Sequence, residues 1–397
     1  EAEERLLLDK VANDAPVVNY VNSIMIDAIK DGASDIHFEC YDETALVRYR
    51  IDGSLSTIDR FPKERFAAIA TRLKVMANLN IMEKRLPQDG RITVDLGRDS
   101  VDIRASFVPI ARGESIVLRL FGKSSIPLDL EELGMDRTTL RTVEKMLRHP
   151  HGLILVTGPT GSGKTTTLSA MLRKVQSPTM KILTIEDPIE YVIEGVNQIQ
   201  TNEAIGLTFD SILRRVLRQD PNIIMVGEVR DAPTAELVIR AALTGHLVLS
   251  TLHTNETASA IARLRDIGIE SYLIAGVIRG ILAQRLVRTV CPHCANLVAP
   301  SAAEKAIGKA HGIALNELSK PKGCERCRHT GYLGRIAIFE TISIDEGLSD
   351  MIAKGERTSS LRDYLKAQGT RFMAEAGLQV VAQGKTTIEE LEREVEL

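Results

Sequence analysis

Hydrophobic and polar positions change rhythm along the chain, and each rhythm predicts a different element. Between Val18 and Ile29 apolar residues recur at helical spacing, which predicts an amphipathic helix. Further on, Ala45-Leu46-Val47-Arg48-Tyr49-Arg50-Ile51 and the stretch from Asp99 to Phe107 alternate with the period of half-buried strands. Together they predict a small α+β domain over residues 1–121. Gly122-Lys123-Ser124-Ser125-Ile126-Pro127 is rich in turn residues and poor in pattern, so a linker is expected over 122–132 that lets the flanking domains reorient. From Leu133 to Val290 apolar runs alternate with helical segments, which predicts an α/β core at 133–290: a largely parallel sheet with helices on both faces. Residues 291–334 read as a cysteine-bearing insert, and 335–397 read as helical, ending in the charged run Ile388 to Leu397. The chain shows no internal repeat.

Composition narrows the class. With 397 residues and 44% hydrophobic content, the chain can build two to four domains with real cores. A formal charge of -3 supplies no overall attraction to nucleic acid. Aromatic residues make up 4% and tryptophan is absent, so the stacking platforms of a strand-binding protein are missing too. No apolar stretch approaches the roughly 18 residues that span a bilayer, and no charged-then-apolar leader opens the chain, so a soluble intracellular protein is expected. The first residue is Glu1, and natural sequence is expected upstream of it.

The chemistry begins at Gly158-Pro159-Thr160-Gly161-Ser162-Gly163-Lys164-Thr165, a full match to the phosphate-loop pattern. The apolar run Leu153-Ile154-Leu155-Val156 precedes it as a buried strand, and Thr166-Thr167-Leu168-Ser169-Ala170-Met171-Leu172 follows as a helix. In that order, glycine N–H groups wrap phosphates, the helix start adds its dipole, Lys164 faces the outer phosphates and Thr165 offers its hydroxyl to magnesium. A nucleoside triphosphate is therefore the expected ligand, with Gly158 to Thr166 as its cradle.

Magnesium needs oxygen ligands and the attacking water needs orientation, so carboxylates are expected downstream. One cluster ends the strand Lys181 to Ile185: Glu186-Asp187-Pro188-Ile189-Glu190. The other follows Asn222-Ile223-Ile224-Met225-Val226 as Gly227-Glu228-Val229-Arg230-Asp231, with glutamate where such strands usually end in aspartate. Acids at strand C-termini lie where α/β ligand sites form. Thr244-Gly245-His246-Leu247-Val248-Leu249-Ser250-Thr251-Leu252-His253-Thr254-Asn255 adds a third strand flanked by histidines, of which His253, and with less support His246, are candidates to sense the outer phosphate.

Cys291-Pro292-His293-Cys294 and Cys324-Glu325-Arg326-Cys327 are paired C-x-x-C motifs, the spacing of a structural zinc site with no position left for water. Cys40 reads as an ordinary buried thiol.

Taken together, Gly158 to Thr165, Glu186 to Glu190, Gly227 to Asp231 and Thr244 to Asn255 resemble the Walker A, Asp-box, Walker B and His-box motifs of the secretion-superfamily ATPases. Gly32 to Glu39 and Leu86 to Arg91 extend the resemblance into the N-terminal domain. The cysteine insert is similar to that of the type II secretion branch and of type IV pilus extension ATPases, and pilus retraction ATPases generally lack it; the secretion branch is preferred. The resemblance implies a RecA-like core at 133–290, a PAS-like N-terminal domain at 1–121, a zinc insert at 291–334 and a C-terminal helical domain at 335–397. It implies a cytoplasmic homo-hexamer, peripheral to the inner membrane, that hydrolyses ATP with Mg2+ at subunit interfaces, holds Zn2+, and meets inner-membrane secretion platform proteins through sequence upstream of Glu1. Carried over residue by residue, Lys164 and Thr165 bind phosphate and magnesium, Glu190 activates water and Glu228 is the acid near the metal. Arg104, Arg119, Arg214 and Arg218 look like the phosphate-contacting arginines. A guanidinium fork suits a phosphoryl transition state, and the spacing of Arg214 and Arg218 places both on one helix face. Solvated basic faces, or pairing with acids such as Glu114, are the alternatives. A nucleic-acid translocase and an ATP-binding scaffold without turnover are the competing functions.

Overall fold

The computed structural model describes residues 12–95, 100–122 and 129–397. The chain divides between Ile126 and Pro127 into two compact units. Residues 123–128, most of the linker expected from sequence, and Asp99 lie outside the described residues.

In the first unit, α1 (Ala15–Lys30) buries Val21, Ile24, Met25 and Ala28, the stripe its periodicity predicts. Then follow β1 (Asp35–Cys40), β2 (Thr44–Ile51), β3 (Ser54–Pro62), α2 (Phe66–Met76), β4 (Gln88–Asp95), β5 (Ser100–Ile110) and β6 (Gly113–Gly122). The strands form a six-stranded antiparallel sheet ordered β3-β2-β1-β6-β5-β4. Burial alternates along β2, with Ala45, Val47 and Tyr49 inside and Arg48 and Arg50 outward. Cys40 is a buried free thiol, as its reading predicts. Glu114 is not available to the strand arginines: it is buried and pairs with Lys74 at 2.6 Å.

The second unit runs α3 (Arg137–Leu147), β7 (Gly152–Thr157), α4 (Lys164–Val175), β8 (Ile182–Glu186), β9 (Asn197–Gln200), α5 (Phe209–Val216), β10 (Ile223–Val226), α6 (Ala232–Leu243), β11 (Leu247–Leu252), α7 (Thr257–Asp266), α8 (Ser271–Val277) and β12 (Ile278–Val290). The insert supplies β13 (Ala295–Val298), α9 (Ala302–Ala310) and β14 (Leu318–Pro321). The chain returns through β15 (Tyr332–Ser343) and ends in α10 (Glu346–Ala353), α11 (Thr358–Ala367), α12 (Met373–Ala382) and α13 (Ile388–Glu394).

The main sheet has seven strands ordered β15-β12-β7-β11-β10-β8-β9, parallel except for the β12–β15 pair. Its central strands carry no polar alternation because helices cover both faces. Along β7, Leu153 and Leu155 enter the core shared with α6 and α7, whereas Ile154 and Val156 enter the core shared with α3 and α4. This is the α/β architecture expected, with one correction. Residues 335–343, read as the start of a helical segment, continue β15 and join the core sheet antiparallel to β12. Ile336, Ala337, Ile338 and Phe339 divide between opposite faces, so pairing with β12 buries more of them than one helix face could.

Candidate functional site

The loop from Gly158 to Gly163 joins β7 to α4 at the C-terminal edge of the parallel strands, where α/β folds bind ligands. Gly163 caps α4 with φ 86°, a left-handed conformation that glycine adopts without strain. The turn presents the first N–H groups of α4 to the cavity. Lys164 is 9% exposed, and its Nζ donates to Gly158 O at 2.8 Å and Pro159 O at 2.9 Å. Burial pushes its pKa down to about 8, with Glu228 pulling upward and Arg285 adding to the fall. Behind the loop, Thr167 donates to Gln284 Oε1 at 2.7 Å, tying α4 to β12.

The strand ends around the loop bring acids and a histidine to it. Glu228, just past β10, meets His253 Nε2 at 3.3 Å through Oε2, and Arg230 pairs with Oε1. His253 Nδ1 stands 3.5 Å from Lys164 Nζ. Lysine, histidine, glutamate and arginine thus form one chain of contacts. The backbone beneath is fixed by Gly227 N on Ile185 O at 2.8 Å and by Thr251 Oγ1 on Gly227 O at 2.7 Å. Thr254 is held to Thr157, the last residue of β7, with the hydroxyls 2.7 Å apart.

The acids of the first cluster differ in burial: Glu186 is buried, whereas Asp187 and Glu190 are exposed. Glu186 accepts through Oε1 from Thr184 at 2.6 Å and from Gln198 at 2.9 Å, and it lines the wall of the same cavity as the phosphate loop. Burial raises its pKa, and those two bonds oppose the rise. Glu190 is exposed and lines a 330 Å³ cavity together with the phosphate loop, Asp187, Glu228 and His253.

A triphosphate and its magnesium fit this donor set. Among the described residues, the buried Ser162 Oγ has no hydrogen-bond partner within the protein, an orphan that a phosphate oxygen satisfies. Thr165 and Thr166 line the same cavity, and Glu228, Glu190 and Asp187 supply the hard oxygens that magnesium prefers.

Other sequence candidates lie elsewhere. His246 sits before β11, at the opposite end of the strand from His253, and its Nδ1 lies 2.9 Å from Ala241 O. It is a helix-end partner and not part of this site. Arg214 and Arg218 do not line the nucleotide cavity: Arg214 lies 3.9 Å from Asp210, and Arg218, beyond the end of α5, donates to Arg214 O at 3.2 Å. In the first unit Arg104 and Arg119 face each other across β5 and β6, and Arg91 faces Arg104 from β4. These arginines line a 520 Å³ groove, and Arg119 donates to Asp35 at 2.9 Å. Sequence reasoning did not single out Arg335, which β15 brings to the nucleotide cavity. The signal was an arginine opening a strand-length apolar run, and it was masked by reading that run as helix.

In the insert, the sulfurs of Cys291, Cys294, Cys324 and Cys327 all lie within 4.8 Å of one another. Three of the pairs measure 3.9, 3.8 and 3.7 Å. A tetrahedron with Zn–S bonds of about 2.3 Å has edges of about 3.8 Å, so the four thiols stand at the spacing zinc requires. Cys324 N and Gly331 N donate to Cys327 Sγ at 3.1 and 3.3 Å, partners suited to a thiolate. No helix among the described residues is long and apolar enough to cross a membrane.

Known proteins are similar to this chain in sequence and in fold. The sequence profile of a family described as type II/IV secretion system protein matches residues 10–393. The type II secretion system protein HxcR of Pseudomonas aeruginosa is 44% identical over 405 residues, covering 99% of this chain and 83% of that protein. The type II secretion system ATPase E of Vibrio cholerae is 44% identical over 384 residues, covering 96% of this chain and 76% of that protein. Among solved structures, the pilus retraction motor PilT with bound ADP matches with a TM-score of 0.62 at 26% identity, covering 94% of this chain and 96% of that one.

Proposed function

The chain belongs to the type II/IV secretion system protein family, and from that premise we propose that it hydrolyses ATP to drive assembly of a pilus-like fibre in type II secretion. The observation that carries the hydrolysis is the convergence of Lys164, Glu228, His253 and Glu190 on a phosphate loop whose Ser162 hydroxyl lacks a protein partner.

Loop N–H groups and the dipole of α4 hold the β- and γ-phosphates. Lys164 exchanges the loop carbonyls for phosphate oxygens and so recovers the solvation its burial removed. Thr165 and Glu228 would hold magnesium, which would supply positive charge to the phosphates. Glu190, exposed at the cavity, orients the attacking water, while the buried Glu186, held through Oε1 by Thr184 and Gln198, braces the turn that carries it. His253 reports on the outer phosphate through its contacts with Lys164 and Glu228.

In this proposal the phosphate site is completed from a neighbouring subunit of a homo-hexamer. The cross-strand arginines Arg104 and Arg119, with Arg214 and Arg218, supply guanidinium groups to the transition state, and their closure is the work stroke. Residues 1–121, the core 133–290 together with β15, the insert 291–334 and the helices that follow β15 act as the parts that move or brace, with zinc as a staple in the insert. The proposed setting is the cytoplasmic face of the inner membrane, with secretion platform proteins as partners. The names of the 44% identical relatives support secretion over pilus extension.

Turnover of ATP by purified protein as a function of its concentration tests the proposal. Specific activity that rises with concentration and vanishes in Lys164→Ala supports it. Activity that persists in Lys164→Ala refutes the site, an unchanging specific rate refutes the need for neighbouring subunits, and stimulation by DNA favours a translocase.

A further inference from the structure

Glu340 lies on β15 and is 2% exposed, too deep for a carboxylate unless protein donors replace its water. Its Oε1 accepts from Thr257 N at 2.9 Å and from Thr257 Oγ1 at 2.5 Å, and its Oε2 accepts from Met373 N at 3.1 Å. Thr257 and Met373 are the first residues of α7 and α12. The residues preceding them, Glu256 and Phe372, make no side-chain cap. One carboxylate therefore serves the orphan N–H groups and positive ends of two helices at once.

What enters α7 gives this joint its meaning. The segment from His253 to Thr257 leads out of the candidate phosphate site, and its polar residues are tied down in turn. Thr254 N donates to Thr157 Oγ1 at 2.9 Å, next to the phosphate loop. Arg285, itself 8% exposed, donates from Nη2 to Asn255 O at 3.2 Å and to Asn255 Oδ1 at 3.1 Å. Thr257 then meets Glu340. On the far side, α12 packs against β15, α13 and the insert strand β14. Contacts of side chains and backbone thus run without a gap from His253 to the C-terminal helices.

We propose that Glu340 is a positioning residue that locks the His253 segment and the start of α12 into one register, so that nucleotide at the phosphate loop alters the C-terminal helices. The inference rests on the ATP-hydrolysis reading. A displacement of His253 by phosphate that carries Thr254 and Asn255 with it moves the start of α7, and the shared carboxylate passes that movement to α12 because Glu256 and Phe372 make no side-chain cap of their own. Glutamine at 340 keeps the size but turns an amide N–H2 toward the backbone N–H of Thr257 or of Met373, donor against donor, and so cuts one backbone arm of the joint.

Hydrogen exchange of the full chain with and without Mg–ADP, alongside binding of a fluorescent ATP analogue and steady-state kinetics, tests this on wild type, Glu340→Gln and Thr257→Val. In wild type, nucleotide is expected to slow exchange across 373–382. Glu340→Gln is expected to keep analogue affinity and KM within about twofold, lose the exchange response and drop kcat about tenfold, the worth of one hydrogen bond to a buried charge. Thr257→Val removes the hydroxyl arm, keeps the backbone arm and the side-chain shape, and should weaken the response in part. It carries the test if Glu340→Gln does not fold. Nucleotide binding to wild type without a response at 373–382, or an undiminished response in a folded variant, overturns the inference alone. Wild-type protein that binds no nucleotide overturns the ATP-hydrolysis reading and this inference with it.

Discussion

Nucleotide affinity should fall steeply on the alkaline side, and Lys164 is the reason. Its ammonium is 9% exposed and rests on two loop carbonyls, with its pKa lowered from 10.5 to about 8, mainly by burial. That depression corresponds to about 3 kcal/mol of lost charge solvation. As pH rises through about 8 the empty fold releases the proton while the unfolded chain keeps it, so this group adds stability to the empty fold between about pH 8 and about 10.5. Triphosphate binding needs the cation and must take the proton back. Affinity should therefore be level below about pH 7 and weaken by about tenfold per pH unit above about 8. A fluorescent ATP analogue titrated at saturating magnesium and constant ionic strength, from about pH 6.5 to about 9.5, reads this directly. Lys164→Arg should flatten the alkaline limb, because a guanidinium stays charged across that range. A wild-type affinity that stays level to about pH 9.5 would refute a buried, phosphate-facing Lys164.

The acids near the loop should separate binding from chemistry: Glu228→Gln and Glu190→Gln are each expected to lower kcat by about 10²-fold or more while the ATP analogue still binds, as single-turnover and binding measurements will show. Elemental analysis should find one zinc per chain held by Cys291, Cys294, Cys324 and Cys327, and chelation should lower the melting temperature, because a closed four-thiolate site contributes to folding. In the first unit, Glu114→Gln leaves the ammonium of Lys74, 1% exposed, without its carboxylate and should cost about 3–5 kcal/mol in chemical denaturation.

Local sequence determined whatever is encoded by neighbours along the chain. The phosphate loop is a contiguous strand, turn and helix, and the apolar runs of β7, β10 and β11 are buried strands because helices cover both faces of their sheet. The cysteine pairs announce a metal site for the same reason: each C-x-x-C folds as one tight turn. Tertiary structure decided the rest. His246 and His253 flank one strand and look alike in sequence, but parallel pairing of β11 with β7 and β10 sends only its C-terminal end to the loop. Glu186 and Glu190 sit in one acidic cluster, and burial against Thr184 and Gln198 separates them. Arg335 and Glu340 gained their places only when residues 335–343 paired with β12, a contact made far along the chain that no local period reports. Local periodicity states which side of an element is apolar, and only long-range pairing states what that side, and the polar residues beside it, will meet.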